Sequence, residues 1–235
     1  MFGKKKILCV IPARAGSKRI KNKNIINFKS KPLIYWTIQA AKRTKYIDKI
    51  IVSTDSIKIK KEATKLGIEV PFLRRKATDD KSSVHEATIE AINQTEKLFG
   101  KYDVVIQLMP NCPLRTYKDC NSSIELYFKN NNKSIISFYK FEWMNPWWAH
   151  KWNKNKFENL FNKFVLKRSQ DLPELYCPTG AVWISNIKKL KKYKSFYSPN
   201  YLPFIIDIFS AIDIDTVLDL KLANMFFKEL NLNEK

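Results

Sequence analysis

Residues 7–25 read ILCVIPARAGSKRIKNKNI. Five apolar residues, Ile7 to Ile11, run uninterrupted into Pro12, the pattern of a strand buried on both faces of a parallel sheet. The chain then turns cationic: Arg14, Lys18, Arg19, Lys21 and Lys23 fall within ten residues, joined by Ser17, Asn22 and Asn24. Backbone N–H groups and cations directly after a buried strand are what a triphosphate needs. The loop is not a Walker A element, because the first Gly of GxxxxGK[ST] is absent. With five Gly in the whole chain there is no GxGxxG fingerprint either. A solvated charged loop is the competing reading, and the position at a strand end leaves the two even.

Outward from this stretch the chain alternates strands and helices at βαβ spacing. Pro32 to Arg43 reads as a helix with Pro at its start and Lys42 and Arg43 at its end. Lys49 to Ser53 is a strand ending at the capping residues Thr54, Asp55 and Ser56. A helix over Ile57 to Leu66 closes at Gly67, and a short strand is expected over Glu69 to Leu73. Ser83 opens a helix to Phe99 with Glu86 completing a capping box. Asp103 to Met109 is a strand, Thr116 to Lys129 a helix, Ser134 to Tyr139 a strand. Ala181 to Ile184 and Ala211 to Ile214 also have strand character, and Thr216 caps a last helix to about Leu230.

This order predicts an α/β chain with a Rossmann-like, mainly parallel sheet and helices on both faces. Such sheets bind ligands at the carboxyl ends of their strands. The segments to inspect are therefore Ala13 to Asn24, Asp55, Arg74 to Ser83 and Pro110 to Arg115.

Within Ile212 to Asp219 (IDIDTVLD), Asp213 and Asp215 alternate with Ile, so on a strand both carboxylates would leave the same face. Like charges held that close favour a cation between them, such as Mg²⁺ beside a nucleotide. The bland reading is a helix cap at Asp215-Thr216, with Asp219 an acid of the first helical turn. In Pro110 to Arg115 (PNCPLR) two prolines fix the loop, and Asn111 offers an amide to a base edge; a rigid turn without a ligand explains it equally well.

The chain has 235 residues, 45% of them apolar and 13% aromatic, enough for a continuous core in one domain over 1–235. No apolar run reaches the ~18 residues that span a bilayer, and the short run after the basic start is not an export signal. A cytoplasmic protein with no membrane partner is expected. Cys9, Cys112, Cys120 and Cys177 form no CxxC, and His85 and His150 lie far apart, which excludes a zinc site and predicts buried thiols. The net charge is +21, but only seven of the 43 basic residues are Arg, and Lys is spread along the whole chain. That pattern suits AT-rich coding and attraction of anionic substrates better than a nucleic-acid reader. After Tyr139 the pattern breaks: Phe141 to Trp152 holds four Trp, and Lys154 to Arg168 is basic and weakly patterned. Residues 140–175 are expected to form an arm serving as a subunit interface or as a satellite core.

IPARAGSKRIKNKN, KPLIYWTIQAA, VSTD, LMPNCPLR, RSQDLPELYCPTGAVWI and AIDIDTVLDLKLA occur in that order. From about residue 7 to 226 they resemble the acylneuraminate cytidylyltransferase family. The resemblance implies CTP and a nonulosonic acid as substrates, Mg²⁺, pyrophosphate release and a homodimer that exchanges its arm. It implies that Arg14 and Lys18 bind phosphates, that Lys23 is catalytic, that Asn24 reads cytosine, and that Asp213 and Asp215 hold the metal; Ser17, in the same turn, is expected to bind substrate. Arg74, with Arg75 the alternative, and Arg168 match basic residues near nucleotide and sugar, and Gly180 the glycine of a P-x-G-A element. MPNCPLR stands where the family often has QPTSPLR, so Met109 replaces a sugar-contacting glutamine, Asn111 replaces Thr and Cys112 replaces Ser. Thr179 and Cys177 also depart. The acceptor stays open among N-acetylneuraminate, pseudaminate, legionaminate and, in a related enzyme, 3-deoxy-octulosonate. A non-catalytic nucleic-acid-binding protein is the rival from another class, resting on diffuse charge alone.

Overall fold

The computed structural model describes residues 5–76 and 82–230. Residues 77–81, within the Arg74 to Ser83 segment, lie outside the described residues. The chain runs β1 (Ile7–Pro12), the hairpin β2 (Asn27–Phe28) and β3 (Lys31–Pro32), then α1 (Leu33–Arg43), β4 (Lys49–Ser53) and α2 (Ile57–Lys65). It continues through α3 (Val84–Phe99), β5 (Val104–Gln107), α4 (Tyr117–Lys129), β6 (Ile135–Lys140) and a second hairpin, β7 (His150–Asn153) with β8 (Lys156–Asn159). It ends with β9 (Tyr176–Asn186), α5 (Ile187–Tyr193), β10 (Leu202–Ile205), α6 (Ile208–Ala211) and α7 (Val217–Glu229).

The main sheet has six strands in the order β10-β6-β9-β5-β1-β4. β1 is parallel to both β4 and β5, and β10 is parallel to β6; β9 alone runs antiparallel, between β5 and β6. Successive β1 residues serve opposite faces, as the pleat requires. Cys9 and Ile11 pack with Ile34 and Ile38 of α1 and Ile124 of α4, while Leu8 and Val10 pack with Ile92 of α3 and Leu190 of α5. Helices cover both faces, as the alternation requires. A third cluster joins α7 to the small hairpin: Phe227 lies edge-on to Phe28, 5.8 Å between ring centres, and 5.0 Å from Trp36. This cluster draws the acidic segment before α7 toward the turn after β1.

Several boundaries are corrected. Glu69 to Leu73 makes no ladder; Val70 is buried, but Pro71 lacks an N–H and the segment packs as irregular chain. Ala211 to Ile214 is not a strand: Ala211 ends α6, and the next residues are extended without a strand partner. The cap of α7 is Thr216, whose hydroxyl accepts from the Asp219 N–H while the Asp219 carboxylate accepts from Thr216 N–H. β10 carries Pro203, tolerated because the strand lies at the sheet edge. Ser56, Ser83 and Thr116 cap α2, α3 and α4, the latter two through full capping boxes.

Candidate active site

A cavity of about 560 Å³ opens at the carboxyl ends of β1 and β5. The turn after β1 supplies Arg14, Ser17, Lys18, Lys23 and Asn24 to its lining; Arg74 comes from beyond β4, Met109 and Asn111 from the turn after β5, and Asp213 and Asp215 from the acidic segment. Ten of the twelve residues singled out from sequence therefore share one cavity.

Local chemistry shapes the cationic turn. Ala13 N–H donates to the Ser53 carbonyl at 2.9 Å, and Ala15 N–H to the Asp55 carboxylate at 2.8 Å, so the end of β4 anchors the turn. Asn22 takes a left-handed conformation (φ 56°), which Asn tolerates better than most residues, and starts a 3-10 turn over Lys23–Ile25. Asn24 is buried and donates its amide N–H to the Arg14 carbonyl at 2.9 Å, leaving its oxygen as an acceptor. Arg74 rather than Arg75 is the buried one of the pair. Its Nη1 donates to Ser53 Oγ at 3.4 Å, its Nε is buried without a partner, and burial lowers its pKa against the opposing pull of Asp55.

The aspartates meet this turn from the far end of the chain. Lys23 Nζ donates to Asp215 Oδ1 at 2.5 Å and Arg19 to Asp215 Oδ2. Asn111 Nδ2 donates to Asp213, while Asn111 Oδ1 is buried without a partner. Ile214, between the two aspartates, is fully buried and donates its N–H to the Asn111 carbonyl at 2.8 Å. Both carboxylates line the cavity because Ile214 is pinned inward, the outcome expected of a strand reached without one. Burial, and then the charge of Asp215, push Asp213 up to about 6. Asp215 is also pushed up by burial, but hydrogen bonding and charge from Lys23 and Arg19 outweigh this and hold it below the usual carboxylate range. Asp219 is spent on the helix cap, accepting from the Asp215 and Thr216 N–H groups.

Hard carboxylate oxygens suit Mg²⁺, which binds through one or two carboxylates and completes its shell with water and substrate phosphates. The buried, unpartnered Asn111 oxygen beside Asp213 is consistent with a cation there. Among the described residues no group of three His, Cys, Asp or Glu side chains forms a self-sufficient metal cage.

Two residues stand apart. Gly180 lies behind the wall, where a Cβ would sit 2.6 Å from Met109 Sδ, so it makes room for Met109. Arg168 is on the arm with its side chain 73% exposed, bonded through Nε to Asp171 at 2.8 Å, and does not line the cavity. Sequence reasoning did not single out Arg19 as a site residue, although it belongs to the cationic cluster. The thiols of Cys9, Cys112 and Cys120 are buried and Cys177 is half-buried, none in a disulfide.

The chain matches the cytidylyltransferase family over residues 8–209. It belongs to that family. This cytidylyltransferase is 34% identical over 225 residues to "Pseudaminic acid cytidylyltransferase" of Campylobacter jejuni, covering 95% of this chain and 97% of that one. It is 33% identical over 240 residues to "CMP-N,N'-diacetyllegionaminic acid synthase" of Legionella pneumophila, covering 98% of each. The structure of CMP:2-keto-3-deoxy-manno-octonic acid synthetase complexed with CTP shares its fold, with a TM-score of 0.73 over 96% of this chain and 100% of that one at 15% identity. No helix among the described residues is long and apolar enough to cross a membrane.

Proposed function

We propose that this cytidylyltransferase transfers CMP from CTP to the anomeric hydroxyl of a nonulosonic acid and releases pyrophosphate, as a cytoplasmic homodimer. One observation carries the reading: Lys23 and Asp215, 192 residues apart, meet at 2.5 Å on the wall of a cavity lined by the cations of the β1 turn. Relatives named for pseudaminic and diacetyllegionaminic acids support a nine-carbon acidic acceptor.

The chemistry is in-line displacement: the sugar oxygen bonds to the α-phosphorus while the bond to the pyrophosphate oxygen breaks. Such transfers need positioning and charge neutralisation more than covalent help. Arg14, Lys18 and Lys23 offset the charge on the α-phosphate and the departing pyrophosphate. Arg74, buried with a free Nε donor, adds a fixed cation on the same side. Asn24 keeps its oxygen for a donor such as the exocyclic amine of cytosine. Met109 forms part of the wall facing the acceptor, with Gly180 giving it room. Asp213 and Asp215 would hold Mg²⁺, which when bound offsets phosphate charge and favours deprotonation of a coordinated hydroxyl. Arg168 does not line the cavity of its own chain, so a role toward the sugar carboxylate rests on arm exchange between subunits.

The test is pyrophosphate release across four nucleoside triphosphates and a panel of pseudaminic, N,N'-diacetyllegionaminic, N-acetylneuraminic and 3-deoxy-manno-octulosonic acids. Release with CTP and a nine-carbon acid, abolished by chelation, is expected. Preference for another triphosphate, or for the eight-carbon acid, contradicts the reading.

A further inference from the structure

Arg115 is 2% exposed, yet among the described residues no carboxylate pairs with it. Its Nη1 donates to two carbonyls, Met109 O at 3.2 Å and Ala181 O at 2.9 Å, and its Nη2 to Thr37 Oγ1 at 2.6 Å. Thr37 Oγ1 in turn donates to Met109 O at 3.4 Å. Arg115 Nε is buried without a partner. Burying a guanidinium among neutral acceptors is unfavourable unless its donors are well placed. A cost of that kind calls for a return in geometry.

The geometry identifies the return. The three acceptors belong to three elements: the turn after β5, strand β9 and helix α1. A planar fork with five fixed donors can bridge them together; a Lys offers one point and a Gln two N–H bonds. The turn is gripped from its other side by the Met109 N–H, which donates to Gly180 O at 3.3 Å, with Met109 Sδ lying in the space where a Cβ of residue 180 would be. From the turn, two bonds run to the acidic segment. Asn111 O accepts from Ile214 N–H at 2.8 Å, and Asn111 Nδ2 donates to Asp213. Cys112 is fully buried beside the turn, its Sγ 3.4 Å from where a Cβ of residue 180 would sit.

We infer that Arg115 is a positioning residue: without touching substrate, it clamps the Met109–Asn111 turn, and through Asn111 it sets where Asp213 stands in the cavity. This rests on reading the cavity as the site of cytidylyl transfer. The β1 turn, which supplies the phosphate-facing cations, makes no hydrogen bond to Arg115. The clamp therefore acts through Asp213 and the Met109 wall, not through the cations of the β1 turn.

The test compares Arg115→Met and Arg115→Lys with Ile124→Ala, a core variant on α4 that lowers stability while removing none of the clamp's hydrogen bonds. Two readouts are taken: hydrogen exchange of the Ile214 amide in ligand-free protein, and steady-state constants for CTP and for the best acceptor of the panel. Arg115→Met should speed Ile214 exchange at least tenfold and lower kcat/KM for the acceptor at least tenfold, with KM for CTP within threefold of wild type. Arg115→Lys should fall between, and Ile124→Ala should change neither beyond what its melting temperature explains. If Arg115→Met fails to fold, Thr37→Val and Arg115→Lys carry the same comparison. Exchange and kinetics indistinguishable from the core control, or KM for CTP rising in step with that of the acceptor, overturn the inference. If the wild type transfers CMP to no acceptor, the proposed activity fails, and Ile214 exchange alone then decides the clamp.

Discussion

The turn after β1 and the arm after β6 are both rich in lysine, yet they fold on opposite principles. In the turn, cations line the cavity and carboxylates from elsewhere in the chain fix it: Asp215 takes Lys23 and Arg19, and Asp55 holds the backbone at Ala15. In the arm, cations and aromatics face outward. Trp147 packs on Phe161 and Phe164 and Trp148 bonds to the Lys167 carbonyl, making a small local core. Trp143, Trp152 and Leu166 are 76%, 74% and 94% exposed. A satellite core is thus present on one face of the arm, while another face leaves large apolar side chains uncovered. Local composition does not decide whether a basic stretch is a site; acceptors contributed from distant sequence do.

The largest expected effect breaks the turn side of this contrast. Asp213→Asn should fold and lose at least ~10²-fold in kcat, the scale of removing one positioned electrostatic group; near-normal turnover would remove Asp213 from the machinery. The same variant has a second, smaller signature in metal-free protein. Asp213 is raised to about 6 when folded, against ~3.9 unfolded, so its stabilising effect is complete below pH 4 and is lost as pH rises through 6. Asp213→Asn should therefore gain on wild type between pH 4 and 8 by about 1–3 kcal/mol in thermal or denaturant unfolding, and added Mg²⁺ should close the gap by stabilising wild type alone. A gap independent of pH would show that Asp213 titrates normally. The smallest effect is on the arm. Leu166→Glu should leave the unfolding midpoint of the dissociated chain unchanged while raising the dissociation constant of the proposed homodimer about tenfold, roughly 1.4 kcal/mol, in sedimentation. An unchanged association constant would count against the arm as the interface.

Much of the fold was legible because its causes are local. Ile7 to Ile11 has to be buried on both faces, and the Ser83 and Thr116 capping boxes fix the starts of α3 and α4. The antiparallel course of β9 was not legible, since strand direction is settled by pairing with β5 and β6 far along the chain. Asp213 and Asp215 were found through a strand that does not exist, and they share the cavity because Asn111 pins Ile214. Arg168 was matched by neighbouring sequence, which says nothing of the face it occupies. Arg115 escaped notice as a site residue because its bonds go to backbone carbonyls, which leave no mark on the pattern of side chains.

On the proposed reading the cationic turn and the two aspartates surround one triphosphate. Crystals soaked with CTP and Mn²⁺ test it directly. An anomalous peak bonded to Asp213 or Asp215 is expected, with triphosphate density running along Arg14, Lys18 and Lys23. Ordered CTP lying elsewhere on the molecule, or a metal peak away from both aspartates, would contradict it.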